Sequence, residues 1–296
     1  MAQDRARGVA VSIEDEQYPG PLRHIFDPPD VLFVEGCGAW GAGLGGLAVA
    51  IVGARDATAQ GLATARSLGR DLAAAGVAVV SGLALGIDGA AHAGALEAGG
   101  VTVAVVGGGT DVVYPRRNRR IREEILERGL IVSEWPPGME PRAYHFPRRN
   151  RLISGLSLGV VVVEATERSG SLITARQAAE QGREVFAVPG PAGAPRSKGP
   201  HSLLKDGARL VEDVHDILEE LRLDAFESCA EPEEEAAGAA ALLAAIGEGA
   251  LTVDEMVVRA HRSVEEIWAD LLDLEVRGRI VRGPGGRFAQ ASGPRA

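Results

Sequence analysis

The sequence has almost no lysine. Lys198 and Lys205 are the only two, so 29 of the 31 cations are arginines. Arginine's planar fork binds phosphate bidentately and stacks on bases, although a GC-rich genome gives the same bias without functional meaning. Cysteine is nearly absent too. Cys37 and Cys229 lie far apart, which excludes a disulfide framework and a cysteine-based zinc spacing and leaves free thiols in a reducing compartment as the expectation. The N-terminus lacks the apolar core of a signal peptide. No apolar run approaches the ~18 residues that span a bilayer. A soluble, cytoplasmic chain with no membrane partner is expected. Net positive charge is also missing: 41 acids against 31 bases give −10. That argues against a histone-like polyanion binder, but not against a basic patch on an acidic protein. Aromatics are only 4% of the 296 residues. The length suggests about two domains.

What is present is a repeated pattern. Six apolar, β-branched runs occur at 48–53, 77–82, 101–107, 130–134, 159–165 and 184–190. They do not alternate, as expected of parallel strands covered on both faces. Helical stretches are predicted at roughly 59–75, 88–98, 118–128, 171–182 and 213–221. This alternation predicts an α/β fold, Rossmann-like and doubly wound with a mostly parallel sheet, over residues 47–221. Residues 1–46 read as a Pro/Gly-rich N-terminal extension with one strand, Val31 to Val34. Residues 222–237 read as an acidic linker around Glu231-Pro232-Glu233. Residues 238–290 read as a small winged-helix domain. It has a helix near 240–246, two capping boxes at Thr252–Glu255 and Ser263–Glu266, and a hairpin about a Gly-Pro-Gly-Gly turn.

In doubly wound sheets, ligands bind beyond the carboxyl ends of the strands. Four small-residue loops fall there: one at Gly53 with Arg55 behind it, one running from Ser81 and Gly82 to Gly86, one at Gly107–Thr110, and one from Ser169, Gly170 and Ser171 to Thr174. Such loops hold anions with backbone N–H groups, hydroxyls and helix N-termini. Asp88 reads equally as a helix N-cap and as a contact residue. His92 reads as a packed histidine.

Charge then concentrates in one segment. Residues 114–151 carry ten arginines against five acids, with Tyr114, Trp135, Tyr144 and Phe146 interleaved. Guanidinium for phosphate and rings for bases suit single-stranded nucleic acid. Solvated Glu/Arg helix pairs account for Arg120, Arg122 and Arg128. They account less well for Tyr114–Asn118 and His145–Arg151, which look like loop or helix-start positions.

These strings, IVGARDAT, SGLALGIDGAAH, AVVGGGTDVVYPRRN, HFPRRNRLISG, SGSLITARQA and LLKDGA, resemble the DNA-processing protein A (DprA, Smf) family in order and spacing from about Tyr18 to Leu221. The resemblance implies a Rossmann-like domain that binds single-stranded DNA, forms a homodimer and helps load the RecA recombinase in natural transformation. It implies no enzymatic reaction, no catalytic residue, no cofactor and no metal. The phosphate-binding arginine falls on Arg55. The basic position of the YP-x-x-N motif falls on Arg116, beside Asn118. The base-stacking aromatic falls on Phe146, the arginine–asparagine–arginine run on Arg149, Asn150 and Arg151, and the small-residue loop on Ser169, Gly170, Ser171 and Thr174. The chain departs from the family in three places. A helical domain that precedes many members is at most a stub, Ala143 stands where a basic residue often precedes the HFP motif, and Gly199-Pro200-His201 replaces a GTN-like turn.

The alternative is a nucleotide-binding or nucleotide-processing protein of the same fold, resembling phosphoribohydrolases. Those need a glutamate where Gln177 stands, and an amide cannot be a general base. The dinucleotide fingerprint is incomplete, and no nucleophile turn is present. The C-terminal domain adds a further expectation. Its second helix has five acids and no base between Ser263 and Val276, so it is expected to contact protein rather than duplex DNA. Residues 228–275 hold 12 acids and two arginines. The acidity therefore sits in this appendage, and segment 114–151 is +5.

Overall fold

The computed structural model describes residues 6–37, 47–223, 242, 246, 251–260, 262–264, 267, 268, 270, 271, 274, 280–282 and 287–290. The chain divides into two compact units, Met1–Ala230 and Glu231–Ala296.

The first unit is built on a nine-stranded sheet. Its strands are β1 (Ala6–Ser12), β2 (Val31–Gly36), β3 (Ala48–Val52), β4 (Ala78–Ser81), β5 (Thr102–Val105), β6 (Leu130–Ser133), β7 (Gly159–Val162), β8 (Glu184–Ala187) and β9 (Arg209–Leu210), in the order β1-β2-β6-β5-β4-β3-β7-β8-β9. From β6 to β9 every neighbouring pair is parallel. The helices are α1 (Gly20–Arg23), α2 (Ala59–Ala74), α3 (Ile87–Glu97), α4 (Arg119–Arg128), α5 (His145–Gly155), α6 (Ser171–Glu180), α7 (Lys198–Lys205) and α8 (Val214–Glu220).

The period of two along β3 divides the core. Ala48, Ala50 and Val52 pack with Leu22 of α1, Leu152 and Ile153 of α5, and Ala175 and Ala178 of α6. Val49 and Ile51 face the other way, against Leu68 and Leu72 of α2, Ala91 of α3, and Ile217 of α8. Burial on both faces explains why the strand sequences are apolar without alternating. α2 starts where the Thr58 hydroxyl accepts the Gly61 N–H, a side-chain cap on an otherwise orphaned donor. The Glu164 carboxylate accepts both the Thr58 N–H at 2.9 Å and the Thr58 hydroxyl at 2.5 Å, tying the β7 loop to this helix start.

The described residues of the expected N-terminal extension, 6–37, belong to this unit and give the sheet two strands. β2 pairs antiparallel with β6, and β1 pairs antiparallel with β2. Leu32 and Val34 on β2 and Val11 on β1 are buried in the main core, and the Tyr18 hydroxyl donates to the Pro29 carbonyl at 2.8 Å. The prolines and glycines of this stretch hid a sheet edge that reverses direction. Three helices were not predicted: α1, α5 and α7. In α5 the proline, Pro147, sits in the first turn, where its missing N–H costs no hydrogen bond.

The sheet order places the binding edge. β3 lies beside β7, and the chain winds outward from this pair in both directions. That is the switch point at which doubly wound sheets open a crevice beyond the strand ends.

The second unit has a three-stranded sheet of β10 (Leu251–Thr252), β12 (Arg287–Gln290) and β11 (Ile280–Arg282), with helix α9 (Val253–Ala260). The first expected capping box forms in both directions. Glu255 N–H donates to the Thr252 hydroxyl, and Thr252 N–H to the Glu255 carboxylate. Glu266 of the second box lies outside the described residues. Leu242, Ile246, Met256, Ile267, Leu271, Leu274 and Phe288 form this unit's own core. The expected hairpin gains β10 as a third strand. Of the expected linker only Arg222 and Leu223 are described.

Candidate nucleic-acid interface

A cleft of about 570 Å³ opens at the β3/β7 switch point. Its wall is made by the loops after β3, β4 and β7 and by the first turns of α3, α5 and α6. Gly53, Arg55, Phe146, Arg149, Asn150, Ser169, Gly170, Ser171 and Thr174 all line it, together with Asp88 and Tyr114. The sequence therefore placed most of its candidate residues around one space.

Arg55 is the open cation of the cleft lining. It is exposed, it makes no salt bridge among the described residues, and its guanidinium lies over the Phe146 ring, 5.3 Å from the centroid. Phe146 is half-buried on the first turn of α5, and its ring stands 5.7 Å from that of Tyr114 at an angle of 39°. A cation, a ring and a second ring thus share one rim.

The loop after β4 is held for this purpose. Gly86 takes φ +82°, and a Cβ there would collide with the backbone carbonyls of Ala54 and Arg55. Only glycine lets the start of α3 close against the loop that carries Arg55; the Ile87 N–H then donates to Ala54 at 3.2 Å. Asp88 is not the N-cap, since Gly86 occupies that position. The Asp88 carboxylate instead accepts the Gly82 and Ala84 N–H groups at 3.1 and 3.3 Å, fixing the loop from inside. Burial pushes its carboxyl above the ordinary value, while Arg149, the two N–H groups and Arg55 pull it back.

Arg149 lines the cleft but is anchored. Nη1 donates to the Gly82 carbonyl at 2.9 Å and also to the Val105 carbonyl, and Nε donates to Asn150 at 3.3 Å. A Cβ on Gly82 would stand 2.5 Å from this guanidinium, so glycine is needed at that position as well. Burial pulls Arg149 down to about 10, against the opposing charge of Asp88. It stays cationic at neutral pH, a fixed positive charge beneath the cleft.

Four expected contacts are used differently. Arg151 is buried and outside the cleft lining. Its fork grips the Glu134 carboxylate at 2.9 and 2.7 Å, and Nε donates to the Asp27 carbonyl at 2.7 Å. These bonds leave it no free edge for phosphate. The Ser81 hydroxyl is fully buried and donates to Ile51 at 2.6 Å, so it cannot reach a ligand. The Asn118 amide donates to the Leu83 and Ala84 carbonyls, both at 2.9 Å, and braces the same loop. The Asn150 amide donates to Gly170 at 3.4 Å, joining α5 to the loop before α6. Arg116 is exposed on a 3₁₀ turn (Arg116–Asn118) that this Asn118 clamp holds beside the cleft.

Helix ends add partial positive charge. α3, α5 and α6 begin at the cleft, at Gly86, Tyr144 and Gly170, with no side-chain cap, whereas α2 and α8 are capped by Thr58 and Asp213. The first-turn N–H groups of Ile87, Gly89, His145, Leu172 and Ile173 already donate to nearby carbonyls, so these ends offer an anion chiefly their partial positive charge. The Ser169 and Ser171 hydroxyls, 2.8 Å apart, stand at the α6 end. His92 is packed as expected: Nδ1 donates at 2.7 Å to the Thr102 hydroxyl, which itself donates to Val79. Burial lowers His92 to about 3. Among the described residues no helix is long and apolar enough to cross a membrane.

Sequence reasoning left Tyr114 out of the site. The signal was present, an aromatic directly before the Pro-Arg-Arg-Asn turn, but only the sheet topology brings it beside Phe146.

Comparison with known proteins agrees with this geometry. Residues 9–222 match the family model described as DNA recombination-mediator protein A, and residues 227–286 match that of the DprA winged helix domain. Protein Smf of Escherichia coli is 46% identical over 93% of this chain and 76% of its own length. The X-ray structure of DNA processing protein A from Streptococcus pneumoniae superposes with a TM-score of 0.68 at 44% identity, over 73% of this chain and 75% of that one. DNA processing protein A from Helicobacter pylori, whose structure was described for its single-stranded DNA binding mode, superposes with a TM-score of 0.65 at 31% identity, over 74% of this chain and 99% of that one. The chain therefore belongs to the DNA recombination-mediator protein A family of DNA-processing proteins, and it carries the family's winged-helix domain at its C-terminus.

Proposed function

We propose that this protein binds single-stranded DNA in the switch-point cleft, without catalysis, and acts as a recombination mediator. In this role it protects incoming strands and helps load RecA during natural transformation in the cytoplasm. One observation carries the binding reading: Arg55, without a carboxylate partner among the described residues, lies over Phe146 at the mouth of a cleft walled by three uncapped helix starts. Phosphate meets Arg55, Arg116, the Ser169–Ser171 loop and the helix ends; a base stacks on Phe146. The single-stranded DNA binding described for the Helicobacter pylori relative supports the same reading.

A binding role rather than a reaction is supported at Gln177. The general base of the alternative enzyme class would stand there, and this residue is a neutral amide whose Oε1 is buried without a partner among the described residues. The RecA and transformation roles rest on family membership. Homodimer formation rests on family membership as well. Protein contact by the acidic winged-helix segment completes the proposal.

The test compares a fluorescent oligo-dT, a duplex and a mononucleotide across a salt series. A single-stranded ligand that neutralises several cations loses affinity steeply with salt. Tight binding of the mononucleotide alone, insensitive to salt, would instead favour the nucleotide-binding alternative.

A further inference from the structure

Tyr114 is a second large aromatic at the cleft and has no assigned use. It is 49% exposed, its hydroxyl bonds to nothing among the described residues, and its ring stands 5.7 Å from that of Phe146. The distance decides how the two rings can work. A base sandwiched between two rings needs roughly twice the ~3.4 Å stacking rise between their planes. At 5.7 Å and 39° there is no room for one. The pair is not a clamp on a single base. It offers two separate platforms, tilted so that bases resting on them are not stacked on each other.

The cations beyond Tyr114 follow the same logic. Arg120 pairs with Glu124, and Arg122 with Glu35. Arg116, Arg117 and Arg119 are exposed and make no salt bridge among the described residues. They sit on the 3₁₀ turn one residue beyond Tyr114 and on the first residue of α4, tied by Asn118 to the loop after β4. The three cations that follow Tyr114 are open, whereas Arg120 and Arg122 are neutralised; Arg128, at the far end of α4, is also open.

We infer that Tyr114 carries a second nucleobase adjacent to the one on Phe146, and that the strand continues from it over Arg117 and Arg119. This rests on the single-stranded DNA reading of the cleft. The site then engages at least two consecutive nucleotides as unstacked bases, and the strand leaves toward α4.

The experiment uses the full chain and a set of short oligo-dT strands, each with one nucleotide made abasic. Wild type is expected to show two adjacent sensitive positions. Tyr114→Leu, which keeps apolar bulk without a ring, is expected to bind the intact strand about 5- to 150-fold more weakly and to lose sensitivity at one of the two positions. Phe146→Leu is expected to lose the other. Tyr114→Phe is expected to bind as wild type does, because the ring and not the hydroxyl does the stacking. Arg117→Ala with Arg119→Ala should make the salt slope shallower by about 0.7 per lost contact. Melting curves matching wild type exclude a folding effect. A single sensitive position, or unchanged binding by Tyr114→Leu while Phe146→Leu is weakened, overturns the second platform and leaves the cleft reading intact. No binding of single strands by wild type overturns both.

Discussion

Replacing Arg151 with alanine separates a structural arginine from a ligand-binding one. Sequence pattern and family resemblance place it on phosphate; the structure places it on Glu134. The two side chains are only 8% and 11% exposed and share two bonds, at 2.9 and 2.7 Å. Breaking a buried pair by removing one partner costs about 3–5 kcal/mol, because the other charge stays buried. Here Arg148 remains 2.9 Å from the same carboxylate and is itself half-exposed, so the cost falls at the lower end, about 3 kcal/mol. For a unit of this size each kcal/mol lowers the melting temperature by about 2–4 °C, which gives a drop of roughly 6–12 °C. Circular dichroism melting reads the stability, and anisotropy titration with oligo-dT, below both transitions, reads the binding. Affinity is expected to match wild type. Replacing both partners, Arg151→Met with Glu134→Leu, is expected to recover most of the loss, since no orphaned charge remains. A variant that melts as wild type does but binds DNA more weakly would refute the assignment and return Arg151 to the phosphates.

Two other predictions concern the loop after β4 and the acid response. Gly86→Ala forces a side chain onto φ +82° and into the Ala54 and Arg55 carbonyls; it is expected to lower stability by more than ~1 kcal/mol and to weaken oligo-dT binding through the displaced Arg55. Gly170→Ala is the control, since a Cβ there meets nothing within 4 Å, and its melting should match wild type. His92 is held neutral down to about 3, against 6.5 in an unfolded chain. The unfolded chain alone therefore takes up a proton as pH falls below 6.5. Stability from this group is complete above that value and is lost progressively as pH falls toward 3. Urea unfolding should show about 1.4 kcal/mol lost by pH 5.5, a slope absent in His92→Leu. Equal slopes in the two proteins would contradict this.

The parts of the fold legible in the sequence were those with local signatures. The six central strands read as apolar runs because both their faces are covered, and the Thr252 box read as a helix start because its two hydrogen bonds are local. β2 was missed as part of the sheet because its pairing with β6 spans about a hundred residues of chain and nothing local announces it, and β1 joins the sheet only through β2. α5 was hidden by Pro147, which breaks a helix interior but not a first turn. At the site, Gly53, Arg55 and the Ser169–Thr174 loop were singled out because strand ends at a switch point bind ligands, and Phe146 because aromatics interleave with the arginines of 114–151 and the family resemblance puts the stacking ring there. Ser81 and Arg151 were over-read, because residue type does not reveal which way a side chain faces. Tyr114 was under-read because its value depends on a neighbour 32 positions away.

The central claim is that Arg55 and Phe146 form a binding site for single strands. It is tested most directly by titrating oligo-dT against wild type, Arg55→Ala and Phe146→Ala across a salt series. Each variant is expected to bind at least about fivefold more weakly. The salt slope should become shallower by about 0.7 for Arg55→Ala. For Phe146→Ala it should not change. Wild-type affinity in both variants, with melting curves unchanged, would contradict it.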